Sequence, residues 1–196
     1  MSIRSTTLVL CSAVLAISAC STTTTQSFRV APASNVEAAY IATDADFSKY
    51  HQLLAEEMGI FFPQNVQMAE EDLQRLRQIF RDAFLPKLTA YKIVNTPAPG
   101  TMAVKASLID LRKAGTADVP DLRIELRDVA KAGALVFLME FHDPNTDKVL
   151  ARAADSSAAP AFAYGDGGTT DWASVEEAAE HWATLFRNFL DNNLGK

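Results

Sequence analysis

The chain has 196 residues, of which 48% are hydrophobic and 21% charged, and its formal net charge is −6 at pH 7. This size and composition are typical of one globular domain with a real hydrophobic core. The acidic balance argues against nucleic acid as a partner and against electrostatic binding to an anionic membrane, because both need an excess of basic residues.

The N-terminal residues have the parts of a bacterial export signal. Arg4 supplies a positive charge, and residues 8–17 are an apolar run that is too short for a bilayer span, which needs about 20 residues. The motif Ile17-Ser18-Ala19-Cys20 then resembles the lipobox of bacterial lipoproteins. We therefore predict a signal peptide at residues 1–19, cleavage between Ala19 and Cys20, and lipidation of Cys20. The alternatives are an ordinary secretory signal, which leaves Cys20 unexplained, and an uncleaved membrane anchor, which the short apolar run disfavours.

Ser21 follows the predicted lipid-carrying cysteine. In enterobacterial lipoproteins, Asp at this position favours retention in the inner membrane, so by resemblance Ser21 indicates the outer membrane, with the domain facing the periplasm. One acyl chain binds a membrane only marginally, whereas the two or three chains of a lipoprotein, palmitate among them, anchor it permanently.

Residues 20–39 are predicted to be a lipidated flexible tether, because the polar run 21–25 and the small residues after it cannot bury enough surface to fold. The alternative is that this segment packs as an extended arm. A single globular domain is expected over residues 40–196. Its first strand is predicted at residues 51–62, which end in an apolar run before Pro63.

Residues 67–84 are predicted to form an amphipathic helix, because apolar residues fall on one face around Leu76. Pro86 is expected to break or kink this helix, with one further turn to Thr89. Residues 91–94 and 101–111 have the patterns of strands. Residues 112–120 are expected to be a loop, and residues 121–132 fit either a strand or a helix.

The strongest strand signal is residues 134–141, an apolar run expected to be buried on both faces. A turn at residues 142–148 and a returning strand at 149–155 complete a hairpin, and residues 155–170 are expected to be a loop. The last helix is predicted at residues 174–194, begun by a capping box of Ser174 and Glu177. Trp182 lies at the centre of its apolar face, whereas Trp172 is expected to lie outside the helix.

The predicted order is β-α-β-β-β-α. We expect an α+β fold in which an antiparallel-rich sheet carries its two amphipathic helices on one face.

Besides the lipobox, three segments resemble a bacterial lipoprotein family known as domain of unknown function 3313. They are the motif Asp46-Phe-Ser-Lys-Tyr50, the hairpin from Met139-Glu-Phe-His-Asp143 to Ala151, and the helix motif His181-Trp182-Ala183. The family has Gly where this chain has Asp147. The resemblance implies an envelope lipoprotein with no assigned activity.

The candidates for chemistry are few. Asp143, Asn145 and Asp147 have the spacing that begins a calcium loop, but Lys148 and Ala154 occupy the positions of its required Gly and Glu. We therefore interpret this segment as a hairpin turn in which Asp143 and Asn145 cap backbone amides.

The histidines are His51, His142 and His181, and their spacing matches no metal or triad motif. His181 is expected on the solvent flank of its helix. No G-x-S-x-G motif is present, and residues 165–168 (Gly-Asp-Gly-Gly) lack the lysine of a phosphate loop. The sequence thus predicts no catalytic, cofactor or metal residues.

We expect a non-enzymatic binding protein, or an assembly or transport accessory, that is attached to the membrane by the lipid on Cys20 and has an envelope protein as partner. The alternative is a small periplasmic hydrolase or lipid-binding enzyme whose site combines distant carboxylates and histidine.

Overall fold

The computed structural model describes residues 26–31, 35–62, 67–112, 134–163 and 168–194. These residues form one eight-stranded sheet and two α-helices. The strands are β1 (Phe28–Val30), β2 (Ala38–Ala42), β3 (Gln52–Ala55), β4 (Gly59–Phe61), β5 (Lys92–Val94), β6 (Thr101–Asp110), β7 (Leu135–Asp143) and β8 (Lys148–Asp155), and the helices are α1 (Glu70–Phe84) and α2 (Trp172–Leu194).

The sheet has the order β1-β2-β8-β7-β6-β3-β5, and β4 also pairs with β6. Strands β1, β2, β8, β7 and β6 are joined by antiparallel pairs, while β3 and β4 lie parallel to β6 and β5 lies parallel to β3. The mostly antiparallel α+β fold predicted from the sequence is confirmed. The hairpin β7–β8 lies within the sheet, as expected for a strand buried on both faces.

The single strand predicted at residues 51–62 is two strands separated by an irregular segment. Ala55 pairs with Val104 and Gly59 pairs with Ser107, so β3 and β4 follow the same edge of β6 with one extra residue between them. Such a bulge bends the strand and redirects its side chains. The Glu56 N–H still donates to the Val104 carbonyl at 3.0 Å, and the ladder resumes at Gly59.

The interpretation of residues 20–39 as a tether, with the domain starting at residue 40, is wrong for the part that the structure describes. β1 and β2 are sheet strands, and β2 pairs with β8 through Ala38 and Ala39. The extended-arm alternative is the one that holds here. The apolar pattern of β2 is weak because small alanines fill it, and its partner lies far away in sequence. Residues 20–25 lie outside the described residues.

Helix α1 begins after Ala69 and has three acidic residues in its first turn, where they interact favourably with the helix dipole. The predicted break at Pro86 is confirmed: the chain tightens into a 3₁₀ turn over Leu85–Leu88. This turn is tied to α2, because Lys87 Nζ lies 2.8 Å from Glu180 Oε2 and Arg187 donates to the Lys87 carbonyl over 2.9 Å.

Helix α2 begins two residues before the predicted capping box. Asp171 stands in the capping position: its carbonyl accepts from the Val175 N–H at 3.2 Å and from Ser174 Oγ at 2.8 Å. The predicted cap at Ser174 is therefore wrong, because its hydroxyl donates to the preceding turn. Trp172 lies within the first turn of the helix, not outside it, and the Arg75 guanidinium lies 4.3 Å from the centre of its ring.

Both helices pack on one face of the sheet, as predicted. Phe137 of β7 is the centre of an aromatic cluster, with ring centroids 5.2 Å from Phe80, 5.1 Å from Phe84, 5.3 Å from Trp182 and 5.2 Å from Phe186. Ring contacts of this kind add to the free energy gained by apolar burial. The core is therefore centred where α1, α2 and β7 meet.

Candidate functional site

A cavity of about 460 Å³ lies between α1 and the sheet. Its inner wall is apolar and comes from β3, β6, β7, α1 and the turn after it: Leu53, Ala55, Met58, Phe80, Phe84, Leu85, Leu88, Val104, Ala106, Phe137 and Met139. Its polar lining residues, here called the mouth, are Glu56, Glu57, Gln74, Arg77, Gln78 and Arg81. Sites for small molecules commonly have about 300–1,000 Å³ and a mostly apolar lining with a few polar groups.

The cavity exists because small side chains stand where the helix could otherwise pack on the sheet. Ala106 pairs with Met139 across the β6–β7 ladder, on the face that the helices cover, but it is only half-buried. Its neighbours on that face, Val104 and Leu108, are buried. Ala55, opposite Val104, is likewise half-buried. The two alanines leave space under α1 that larger residues would fill.

Arg77 ties α1 to the bulge between β3 and β4. Its Nε lies 3.0 Å from Glu57 Oε1 and donates to the Met58 carbonyl over 3.3 Å. Its guanidinium also lies 3.8 Å from Glu70. The Arg77 side chain is three-quarters buried, but the Glu57 side chain is 74% exposed, so water screens the pair and its Coulomb contribution is small. The tie fixes one side of the mouth.

Two charged side chains of the mouth take no part in a contact of this kind. Arg81 on α1 and Glu56 on the bulge are exposed, and within the described part of the chain neither side chain has a hydrogen-bond or ion-pair partner. The mouth therefore presents one unpaired cation and one unpaired anion beside an apolar interior.

The three histidines lie in separate places. The His51 ring covers Gly100, whose φ of +78° favours glycine and where an added Cβ would lie 2.1 Å from the ring. His142 is largely buried, and neither ring nitrogen has a hydrogen bond in the described residues. Its Nε2 is 3.9 Å from Glu140 Oε2, while Glu140 Oε1 accepts from Arg152 Nε at 2.6 Å.

His181 is exposed on α2, as predicted, and it contacts a serine that the sequence did not single out. Ser157 Oγ lies 2.9 Å from His181 Nε2. The same hydroxyl donates to Asp155 Oδ1, which also accepts from the Ser157 N–H at 2.9 Å. A nucleophilic serine gives its proton to the histidine. Here the hydroxyl donates its hydrogen bond to the carboxylate instead, so the group is a polar anchor between the loop and α2.

The described residues hold no group of three or more His, Cys, Asp or Glu side chains that could bind a metal ion. The turn at 143–147 is the predicted hairpin turn: Asp143 Oδ1 accepts from the Asn145 N–H at 2.8 Å. Tyr50 also donates to this carboxylate over 2.9 Å. Burial acts to raise the pKa of Asp143, but these hydrogen bonds outweigh it and hold the pKa below its usual range.

Several predictions fall on residues outside the described ranges: Ala19 and Cys20 at the signal site, the segment 121–132, residues 165–167 of the glycine-rich loop, and the end of the chain after Leu194. No helix in the described ranges combines the length and apolarity needed to cross a membrane. The cavity was not predicted, because its wall comes from four separate stretches of sequence.

A family model described as a protein of unknown function (DUF3313) matches residues 27–186. Among solved structures, the chain is similar to the PelC dodecamer from Paraburkholderia phytofirmans in two crystal forms, one of them of a point variant. In both, the identity is 10%, the TM-score is 0.37, and the match covers 71% of this chain and 86% of that chain. A search of curated proteins found no match.

Proposed function

This chain belongs to the DUF3313 family of proteins of unknown function, and we propose that it is a lipid-anchored protein of the bacterial envelope that binds an apolar ligand without enzymatic chemistry. The α1 cavity is the binding site in this proposal. In this proposal the lipid on Cys20 holds the domain at the outer membrane, on its periplasmic side. The protein acts there as an accessory to the transport or assembly of an envelope component.

The observation that carries the proposal is the cavity of about 460 Å³ with an apolar wall and a polar mouth. An empty space of this kind costs stability, because the side chains around it lose packing contacts. Filling it with hydrocarbon recovers about 25 cal/mol for each Å² of apolar surface removed from water. Ala55 and Ala106 keep the space open, and larger residues there would close it.

The chemistry of the other clusters favours binding over catalysis. The Ser157 hydroxyl donates to Asp155, and the buried pair Arg152–Glu140 is satisfied internally. A hydrolase needs a nucleophile, a base and an oxyanion site that converge on one cleft. The mouth of the α1 cavity offers amides, carboxylates and guanidinium groups, which can hold a polar ligand end.

Photolabelling in a membrane tests the binding site. The full-length protein, produced with its signal sequence, is reconstituted in phosphatidylcholine vesicles with an alkyl probe that carries a diazirine on its chain. After irradiation, peptide mass spectrometry should find label on cavity residues such as Leu53, Phe84 and Met139. The variant Ala106→Phe should lower that labelling at least tenfold, because the added ring occupies the cavity.

The matched control is Ala159→Phe, which makes the same substitution at an exposed loop position away from the cavity. It should label like the parent protein. Equal cavity labelling in the parent and in Ala106→Phe, with both proteins folded by circular dichroism, would contradict the assignment of the binding site.

A further inference from the structure

The two unpaired charges at the mouth identify the ligand more closely. Arg81 lies on α1 and Glu56 lies on the bulge, so the two charges come from different elements of the cavity wall. Arg77 and Glu57 already neutralise each other at 3.0 Å. The charges left for a ligand are therefore one positive and one negative, next to an apolar interior.

We infer that the cavity takes a single-chain zwitterionic amphiphile of the lysophospholipid type, with a phosphate and an amine in its head group. This rests on the proposed function, since it names the ligand of the same site. The hydrocarbon chain fills the space under α1. The phosphate lies at Arg81, whose planar guanidinium matches phosphate oxygens in pairs, and the ammonium group lies at Glu56.

The choice of a zwitterion follows from the charges of the mouth, whose two unpaired side chains are of opposite sign. A purely anionic head group would gain from Arg81 but would face Glu56 without compensation. A purely cationic head group would face Arg81 in the same way. Like charges at close distance cost free energy even in partly solvated sites. A head group that carries both charges satisfies both residues and leaves none unpaired.

The choice of one chain follows from the size of the cavity. Its 460 Å³ lies in the lower half of the range for sites that hold a single small ligand, about 300–1,000 Å³. The Arg77 tie to Glu57 and Met58 fixes one side of the entrance. A second chain would have to break that tie to enter.

Competition in the photolabelling assay tests the ligand class. Lysophosphatidylethanolamine is compared with lysophosphatidylglycerol, a fatty acid and a monoacylglycerol of equal chain length. The zwitterion should compete at about fivefold lower concentration than lysophosphatidylglycerol or the fatty acid, as expected for one partly exposed charge contact. Its advantage over the monoacylglycerol should be larger, because that lipid lacks both charge contacts. Within a homologous series, competition should improve about fourfold per methylene until the cavity is full and then level off.

Two single variants assign the head group. Arg81→Gln should lower the affinity for lysophosphatidylethanolamine about fivefold and leave the affinity for the monoacylglycerol unchanged. Glu56→Gln should remove the preference for the zwitterion over lysophosphatidylglycerol, because the mouth becomes net positive. Lys105→Gln and Glu71→Gln remove exposed charges outside the mouth and should change neither result.

The outcomes separate the two proposals. Cavity labelling with equal competition by all four head groups would overturn the zwitterion and leave the apolar binding site standing. If the anionic lipids bind most tightly, and if Arg81→Gln removes that preference, the zwitterion would be overturned in favour of an anionic ligand. If the cavity residues are not labelled, or if Ala106→Phe does not lower their labelling, the proposed function itself would be overturned.

Discussion

The indole Nε1 of Trp182 donates a 3.0 Å hydrogen bond to Oδ1 of Asp155, and both side chains are buried. Asp155 ends β8 on the face that the helices cover, opposite Phe137. Its two oxygens also accept from the backbone N–H groups of Ser157 and Glu37. One carboxylate thus joins α2, the loop after β8 and the start of β2, which explains why a charged residue is accepted within the core.

Trp182→Ala should lower the free energy of unfolding by about 3–5 kcal/mol, because it leaves a large cavity in the aromatic cluster. Trp172→Ala should cost about 1 kcal/mol, since this ring is only half-buried and its main contact is the Arg75 guanidinium. Denaturant melts of the two variants make the comparison. Equal midpoints would contradict the placement of Trp182 in the core and would favour a helix that docks on a partner.

Two tyrosines with equally raised pKa values should respond oppositely to the loss of their hydroxyls. The Tyr91 hydroxyl is buried and has no hydrogen-bond partner in the described residues, whereas Tyr50 donates to Asp143. A buried polar group without a partner costs about 1–3 kcal/mol. Tyr91→Phe should therefore leave the protein as stable or up to about 1 kcal/mol more stable, and Tyr50→Phe should destabilise it by about 1 kcal/mol.

The same tyrosines set an alkaline limit. Burial raises the pKa of each to about 12, and the hydrogen bond to Asp143 adds to the effect at Tyr50. A raised pKa means that the unfolded chain loses its proton first, so stability is full below pH 10 and falls between pH 10 and 12. Urea melts across this range should show the fall, and Tyr91→Phe should reduce it. An identical pH profile for the variant would contradict this account.

The helices and the hairpin were predictable because the apolar pattern within each segment is enough to indicate its secondary structure. The apolar face around Leu76 and Trp182 repeats at the helical period, and residues 134–141 are continuously apolar. The strands β1 and β2 could not be recognised in this way. They are short, β2 is rich in alanine, and β2 becomes a strand only by pairing with β8, more than 100 residues away in sequence.

The cavity was unpredictable for a related reason. The sequence places Gln74 and Gln78 on the polar side of α1, a pattern that is typical of a solvent-exposed helix face. Nothing local indicates that Ala55 and Ala106 would meet beneath that helix. Their small size matters only in relation to α1, and that relation arises from the parallel pairing of β3 with β6. The Ser157–His181 contact is likewise a product of the fold, since the two residues lie on a loop and a helix.

Asp147→Gly should not destabilise the hairpin. Asp147 has a φ of 54°, a left-handed conformation that costs non-glycine residues of order 1 kcal/mol. Glycine removes that strain but loses more entropy on folding, so the net change should lie between zero and about 1 kcal/mol of added stability. Asp147→Val should destabilise by about 1–2 kcal/mol. Thermal melts of the two variants decide the sign.

The same turn gives a metal control. Calcium at millimolar concentration should leave the melting temperature of the parent protein unchanged, because Asp143 already binds the Asn145 N–H and the Tyr50 hydroxyl. Magnesium serves as the ionic-strength control. A rise of several degrees with calcium alone would contradict the interpretation of this segment as a simple turn.

Ser157 should not react with a serine-directed fluorophosphonate. Its hydroxyl donates to Asp155, whereas a nucleophilic serine donates to its base, which here would be His181. A known serine hydrolase labelled in parallel shows that the probe is active. Ser157→Ala should lower stability by about 1 kcal/mol through the lost hydrogen bonds. Stoichiometric labelling of Ser157 that disappears in His181→Ala would instead support a hydrolase.

The proposed membrane anchor would use one of the two cysteines in the N-terminal region, which makes a matched comparison available. Cys20→Ser should abolish acylation, because the lipidating enzymes need the thiol as nucleophile, and it should leave an unprocessed or mislocalised precursor. Cys11→Ser makes the same change within the apolar run and should leave processing intact. Metabolic labelling with an alkyne fatty acid, followed by membrane fractionation, measures both effects. Mass spectrometry of the parent protein should find acylated Cys20 as the first residue. An unmodified N-terminus at Ser18, Ala19 or Cys20 would contradict the lipoprotein assignment.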